Sequence, residues 1–295
     1  MRKVTFYKYQ GAGNDFLIAD NLDGAIELSA EDISAMCDRR YGIGADGVML
    51  LGKSGSAAFR MEYYNADGSG GMMCGNGGRC IVAFAVDMGL ACGSEFDFEA
   101  ADGMHTAQVV SDDGRSKIIR LRMKDVSGVV RHESLADAVV PSDGYFLDTG
   151  TRHFVRFADD AAEYDVVGEG RVIRYAREFL PIGTNVNYAC LGEGGLVVRT
   201  YEKGVEDETF ACGTGIVASC IAAYVHGIPG RSASAGLPDE TAGQPVSADG
   251  ARVAYCVQAV RDILSVDFIP HEDGCFSDVW LTGPAVRVAE VRLEI

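Results

Sequence analysis

Cys74-Gly75-Asn76-Gly77 opens an apolar run over residues 81–86 that closes at Gly89-Leu90. Cys212-Gly213-Thr214-Gly215 opens a second, over residues 216–225, that closes at Gly227-Ile228. In both copies a glycine stands one, three and fifteen positions after the cysteine. Little else in the two halves is identical. The pattern reads as a duplicated structural unit with one reactive position in each half.

Glycines just ahead of an apolar run suit a tight turn into a helix N-terminus, because they tolerate unusual φ/ψ and let a ligand approach the backbone. A helix of about three turns follows, and the last glycine is a natural stop. Ile81-Val82-Ala83-Phe84-Ala85-Val86 is apolar on every side, and only Ser219 and Cys220 interrupt the second run. A helix apolar all round is buried all round. Each cysteine is therefore expected where a buried helix begins. N–H groups and the positive end of the helix dipole gather there and favour an anion. A thiol in such a place is more often thiolate than its free pKa of about 8.5 allows.

The chain has 295 residues, enough for two ordinary domains. Its 26 basic and 43 acidic side chains give a net charge of −17, which argues against nucleic acid or an anionic membrane surface as a partner. An anionic small substrate stays open, since local donors rather than net charge would hold it. The first residues lack the apolar core of a signal peptide, and no run reaches membrane-span length. Nine cysteines, an odd number spread over a long chain, do not form a disulfide framework. A reducing cytoplasm is expected.

Along the chain, strands are expected at 4–9, 17–20, 48–51, 57–64, 95–100, 104–110 and 117–123, with a surface helix at 29–39 capped by Ser29. After these come strands at 144–148, 153–157, 185–190, 196–201, 253–260, 263–269 and 279–295. A helix is expected over 172–179, an acidic loop over 202–208, and an exposed Gly/Ala/Ser-rich loop over 229–250. A fully buried helix among short strands needs a sheet curled round it. The expected fold is α/β (α+β): two pseudo-symmetric lobes, each a mostly antiparallel sheet wrapped on a central helix. The boundary is expected near 127–132, giving lobes of 1–128 and 129–282.

Five stretches extend this reading: Gly11-Ala12-Gly13-Asn14-Asp15-Phe16, Asn65-Ala66-Asp67-Gly68-Ser69, the run from Cys74 to Cys80 (CGNGGRC), Gly183-Thr184-Asn185-Val186-Asn187, and the run from Glu208 to Gly215 (ETFACGTG). In this order they resemble the motifs of the diaminopimelate epimerase family, which are pyridoxal-independent amino-acid epimerases. The resemblance covers nearly the whole chain. It implies the two-lobed fold, a last strand from about residue 283 returning to the N-terminal lobe, a homodimer, and a place in lysine and cell-wall precursor synthesis.

The chemistry agrees with the residues. Inverting an α-carbon needs a base on one face and an acid on the other, and a thiolate and a thiol can exchange those roles each turnover. N–H groups at the helix starts can grip the substrate carboxylate, where carbanion charge accumulates. Gly75, Asn76, Gly213 and Thr214 are placed for that. By resemblance, Cys74 and Cys212 are the acid/base pair, His153 and Glu202 tune them, and Asn14, Asn65 and Asn185 bind substrate together with the Glu202-Lys203 pair. No cofactor and no metal are expected, since no pyridoxal motif is evident and Cys74 and Cys80 lack a paired histidine. Gly213–Ala218 fits a GxGxxA fingerprint, but an acidic loop rather than an apolar strand precedes it. The remaining cysteines, 37, 80, 92, 190, 220, 256 and 275, read as small buried hydrophobes.

Three departures from the family stand out. Thr151-Arg152 precede His153 where Asn or a small residue, then Pro, is usual. Lys203 stands where the family has arginine, and it lacks the bidentate grip. The loop Val205-Glu206-Asp207-Glu208 is one residue longer. Thr151 and Lys203 motivate an alternative, a racemase of the same fold acting on another amino acid such as histidine. A dithiol redox protein, which would form a functional disulfide between Cys74 and Cys212, and a non-catalytic amino-acid binder, for which neither thiol would be essential, are alternatives of other classes.

Overall fold

The computed structural model describes residues 3–71, 73–91, 93–136, 138–157, 159–160, 164–232 and 251–294. It divides into two compact units, Met1–Arg122 with Thr282–Ile295, and Met123–Leu281.

The first unit holds β1 (Lys3–Gly11), β2 (Asn14–Asp20), α1 (Ala30–Cys37), β3 (Gly47–Gly52), β4 (Arg60–Asn65), α2 (Gly75–Asp87), β5 (Glu95–Ala100), β6 (Gly103–Asp112) and β7 (Ser116–Arg122). β1 and β2 form a hairpin whose Ala12 and Gly13 both have positive φ, 53° and 92°, as a two-residue turn of the right hand for a twisted hairpin requires. β2 pairs β3 in parallel, and β3, buried along its whole length, reads accordingly as an unbroken apolar run. The ladder continues antiparallel to β4, parallel to β5, then antiparallel to β6 and β7. On α1, Ser29 and Asp32 make a reciprocal capping box, and Ile33, Met36 and Cys37 pack against Leu17 and Leu50.

The second unit holds β8 (Val130–His132), β9 (Gly144–Asp148), β10 (Arg152–Phe157), α3 (Val166–Arg174), β11 (Asn185–Gly192), β12 (Gly195–Glu202), β13 (Asp207–Thr209), α4 (Gly213–His226), β14 (Arg231–Ser232), β15 (Val253–Gln258) and β16 (Ile263–Pro270). The last strand, β17 (Phe276–Glu294), begins in this unit and ends in the first, where it pairs antiparallel with β1 and, from Gly283 on, with β7. It thereby closes the first unit's sheet into a ring.

The two ladders share one alternation. From β9 the partners run antiparallel to β10, parallel to β11, antiparallel to β12, parallel to β15 and antiparallel to β16. From β1 to β6 the same order appears. Each ladder carries one buried helix: α2 against β1, β2, β3 and β7, and α4 against β9, β10, β11, β12 and β16. The α/β reading, with mostly antiparallel strands ranged round one buried helix in each unit, therefore holds. Ile81, Val82 and Phe84 of α2 are 0–1% exposed, and each such side chain contributes roughly 1.5–3 kcal/mol. Both helices stop at left-handed glycines, Gly89 (φ 71°) and Gly227 (φ 91°).

Some expectations change. The helix expected over 172–179 is α3 over Val166–Arg174, followed by a 3-10 turn at Arg177–Phe179. Asp165 starts it, accepting from Gly168 N at 2.8 Å. Gly170, which reads as a helix breaker, is there because a Cβ would lie 2.7 Å from Tyr201 Cβ. The acidic loop contains β13, folded back on β12 through Gly204 and Glu206 at positive φ. Arg199 offsets its charge with a bidentate grip on Glu208, both contacts 2.7 Å. The fourth strand starts at Arg60 rather than at 57, and β8 was not expected. β14 begins within the expected loop, and residues 233–250 of it lie outside the described residues, as does Cys92. Among the described residues no helix is long and apolar enough to cross a membrane.

Candidate active site

Cys74 is the N-cap of α2 with φ −99° and ψ 134°, and Cys212 is the N-cap of α4 with φ −102° and ψ 109°. Each carbonyl accepts the first helical bond, from Gly78 N at 2.7 Å and from Ile216 N at 2.9 Å. Neither side chain caps its own helix. In neither unit, then, does the cysteine side chain serve as the cap, and N–H groups at a helix start suit an anion. Cys74 is half-buried and Cys212 is buried.

In the first unit the start of α2 is tied to the β1–β2 turn. Asn76 Nδ2 donates to Asn14 Oδ1 at 2.6 Å, and Asn14 Nδ2 donates to Asp46 Oδ2 at 2.9 Å. Fully buried Arg79 donates from Nη2 to Asn76 Oδ1 at 2.8 Å and from Nη1 to Gly75 O at 3.3 Å. Gly11 permits this approach, since a Cβ there would lie 2.9 Å from Asn76 O. The structure therefore gathers Asn14, Gly75 and Asn76 around the helix that Cys74 caps. Asn65 ends β4, and its amide donates to Ser69 Oγ at 3.0 Å within its own turn.

In the second unit His153, fully buried on β10, stands against the start of α4. Its Nε2 is 3.0 Å from Thr214 Oγ1 and 2.9 Å from Thr151 Oγ1, and its Nδ1 is 2.8 Å from Asn187 Oδ1. Thr214 Oγ1 is in turn 3.5 Å from Cys212 Sγ. Thr149 Oγ1 donates to Thr214 O at 3.0 Å and steadies the turn. Burial holds the imidazole down to about 4, against the opposing pull of Asn187 and of Asp148, so the ring is neutral at pH 7. Asn185 bridges backbone: its Oδ1 accepts from Lys203 N at 2.7 Å and its Nδ2 donates to Arg152 O at 3.1 Å. Glu202 ends β12 half-buried, and the Lys203 side chain is exposed.

Burial pushes the Cys37 thiol up to about 11 and raises the Cys80 and Cys220 thiols well above the ordinary thiol value, as expected of cysteines used for packing. Cys190 is also buried, whereas Cys256 and Cys275 are only half-buried. Among the described residues no three His, Cys, Asp or Glu side chains gather as a metal site. Sequence reasoning missed Asn187, Thr200 and Arg79. Asn187 sat in the quoted run Gly183-Thr184-Asn185-Val186-Asn187, two positions from Asn185 and so on the same strand face.

The same fold recurs in solved structures of distant sequence. A phenazine biosynthesis protein of the PhzF family from Bacillus anthracis superposes with a TM-score of 0.71 at 15% identity, covering 100% of both chains. A probable proline racemase from Agrobacterium radiobacter superposes with a TM-score of 0.65 at 14% identity, covering 99% of this chain and 93% of the other. At the sequence level the diaminopimelate epimerase family model matches residues 6–127. The diaminopimelate epimerase of Flavobacterium psychrophilum is 38% identical over 98% of this chain and 100% of its own. That of Chlorobaculum tepidum is 44% identical over 72% of this chain and 81% of its own. The chain belongs to the diaminopimelate epimerase family, and it is an isomerase of the epimerase type.

Proposed function

We propose that the protein interconverts LL- and meso-diaminopimelate by proton transfer at Cα between two thiols, Cys74 and Cys212. The observation that carries this is the matched pair of helix caps: a cysteine in the same extended conformation opens the buried helix of each unit. One thiolate takes the Cα proton, leaving the electron pair on the carbanion. The other thiol delivers its proton to the opposite face, and the two sulfurs end with their states exchanged. The backbone at Gly75, Asn76, Gly213 and Thr214 grips the carboxylate as charge builds on it. Asn14, Asn65, Asn185 and the Glu202-Lys203 pair bind the rest of the substrate, and His153 and Glu202 tune the thiols. The reaction needs no cofactor. A homodimer in the cytoplasm, serving lysine and cell-wall precursor synthesis, completes the reading.

Deuterium wash-in at Cα from D₂O, run over both diaminopimelate isomers and a panel of monocarboxylate amino acids, tests the proposal. Exchange with interconversion of the two isomers is expected. Exchange confined to a monocarboxylate amino acid would overturn the substrate and favour the racemase that Thr151 and Lys203 suggested.

A further inference from the structure

Resting on that reading, we propose that Asn187 is a positioning residue. Held by Thr200, it fixes His153 as the Nδ1–H tautomer, so that Nε2 accepts from the Thr151 or the Thr214 hydroxyl in turn and Thr214 can serve Cys212 in both charge states.

Two side-chain amides favour the same direction, Asn185 weakly across 3.5 Å and Asn187 through a full hydrogen bond of 2.8 Å. Asn185 lies in register with His153 across the parallel pair β10–β11. Its ends are set by backbone, the oxygen taking Lys203 N–H and the nitrogen giving to Arg152 O. Its Nδ2 therefore faces Nε2, at 3.5 Å. Two N–H groups aimed at each other repel, so Nε2 carries the lone pair and Nδ1 the proton. On the other side of the ring Asn187 presents Oδ1 to Nδ1 at 2.8 Å while its Nδ2 donates to Thr200 Oγ1 at 2.7 Å. His153 and Asn187 are 0% exposed, Thr200 3% and Asn185 5%, so no water repairs a mismatch. Gly215 makes the arrangement possible, since a Cβ there would lie 2.4 Å from Asn187 Nδ2.

The hydroxyls complete the device. Thr151 Oγ1 and Thr214 Oγ1 are 3.0 Å apart and both reach Nε2. A ring nitrogen takes one good hydrogen bond. When Cys212 is a thiolate, Thr151 donates to Nε2 and Thr214 turns its proton to the sulfur. When Cys212 is a thiol, its S–H donates to Thr214 Oγ1, and the Thr214 proton turns to Nε2. Between the two states the hydroxyls only rotate, and the one proton exchanged is the one Cys212 takes from or gives to Cα. Thr151, one of the departures from the family, supplies the second hydroxyl.

The test is nitrogen NMR of the full chain labelled with ¹⁵N-histidine, His153 being assigned with His153→Gln. A protonated Nδ1 and a lone-pair Nε2 are expected in the resting protein at pH 7. A protonated Nε2, or a signal averaged between the two tautomers, overturns the proposal. Asn187→Leu removes the acceptor, and Thr200→Val, nearly the same shape, removes only its support. Both should mix the tautomers, with kcat down on the order of tenfold, the loss seen when the partner that orients a metal-bound histidine is removed, and KM little changed. A folded Thr200→Val protein with mixed tautomers and full kcat overturns the positioning role. The spectrum is independent of turnover: a clean Nδ1–H signal in a protein that ignores diaminopimelate overturns the functional reading and not the tautomer.

Discussion

Asn76 and Thr214 occupy the same place in their respective helices, two residues after the capping cysteine, and each ties its helix to the sheet of its own unit. Asn76 does so through an amide pair with Asn14 at 2.6 Å, Thr214 through a hydroxyl–imidazole contact with His153 at 3.0 Å. The duplication kept the position and changed the chemistry. Behind Asn76 stands the guanidinium of Arg79, which is always charged, and behind Thr214 a neutral ring. The two sulfurs therefore sit in different electrostatic settings while sharing one backbone geometry.

The equivalent glycines Gly77 and Gly215 should respond differently to alanine. A Cβ at Gly77 would meet Met49 Cε and Phe16 Cζ at 3.5 Å, ordinary contact. A Cβ at Gly215 would meet Asn187 Nδ2 at 2.4 Å and His153 Cε1 at 3.1 Å, groups locked in a buried network. Gly77→Ala should be neutral or stabilising, since alanine is favoured over glycine by about 1 kcal/mol in a helix. Gly215→Ala should lose about 1–3 kcal/mol by overpacking, with activity falling as well. Urea denaturation of both variants checks this, and equal destabilisation of the two would contradict it.

His153 should give the fold a pH slope. Its folded pKa of about 4 lies below the ordinary 6.5, so in that window the unfolded chain binds more protons. Stability then rises with pH, and the contribution is lost as pH falls from 6.5 toward 4. The loss is roughly 3 kcal/mol across the window. Denaturation curves at intervals between those values should show the slope in the wild type and a shallower one in His153→Gln. Identical slopes would mean that the imidazole is not held neutral by burial.

What the sequence made legible was local. The two cysteine-led helices announced themselves because glycines, an unbroken apolar run and a terminal glycine lie in one stretch, and Ser29 with Asp32 marked α1 in the same way. α3 was misplaced because the reason for Gly170 is Tyr201, far along the chain, and glycine alone reads as a break. β13 hid in its acidity, which only Arg199 on the neighbouring strand explains. The partners of His153 were half legible. Thr214 lay in the duplicated motif, but Asn187 reaches the ring, and Thr200 reaches Asn187, only through strand pairing that no spacing reveals. Arg79 looked like part of a motif, and its role as a buried tie between Gly75 and Asn76 needed the folded helix.

The two thiols should fail separately and in opposite senses. If one takes the proton from one face of Cα and the other supplies it to the opposite face, Cys74→Ala and Cys212→Ala should each abolish interconversion of the isomers. The serine variants should retain a small residue of activity at most, since a hydroxyl is a far weaker acid than a thiol. Each serine variant should still eliminate the halide from a β-halogenated substrate analogue of one configuration, because the surviving thiolate needs no acid opposite it for that step. The accepted configuration should swap between Cys74→Ser and Cys212→Ser. Cys220→Ala is the control: its sulfur is fully buried within α4 and burial holds its thiol protonated, so only packing should change. Measuring halide release for both configurations on the three folded variants decides the matter. Two serine variants that process the same configuration, or a Cys220→Ala protein as inactive as the others, would end the two-thiol mechanism.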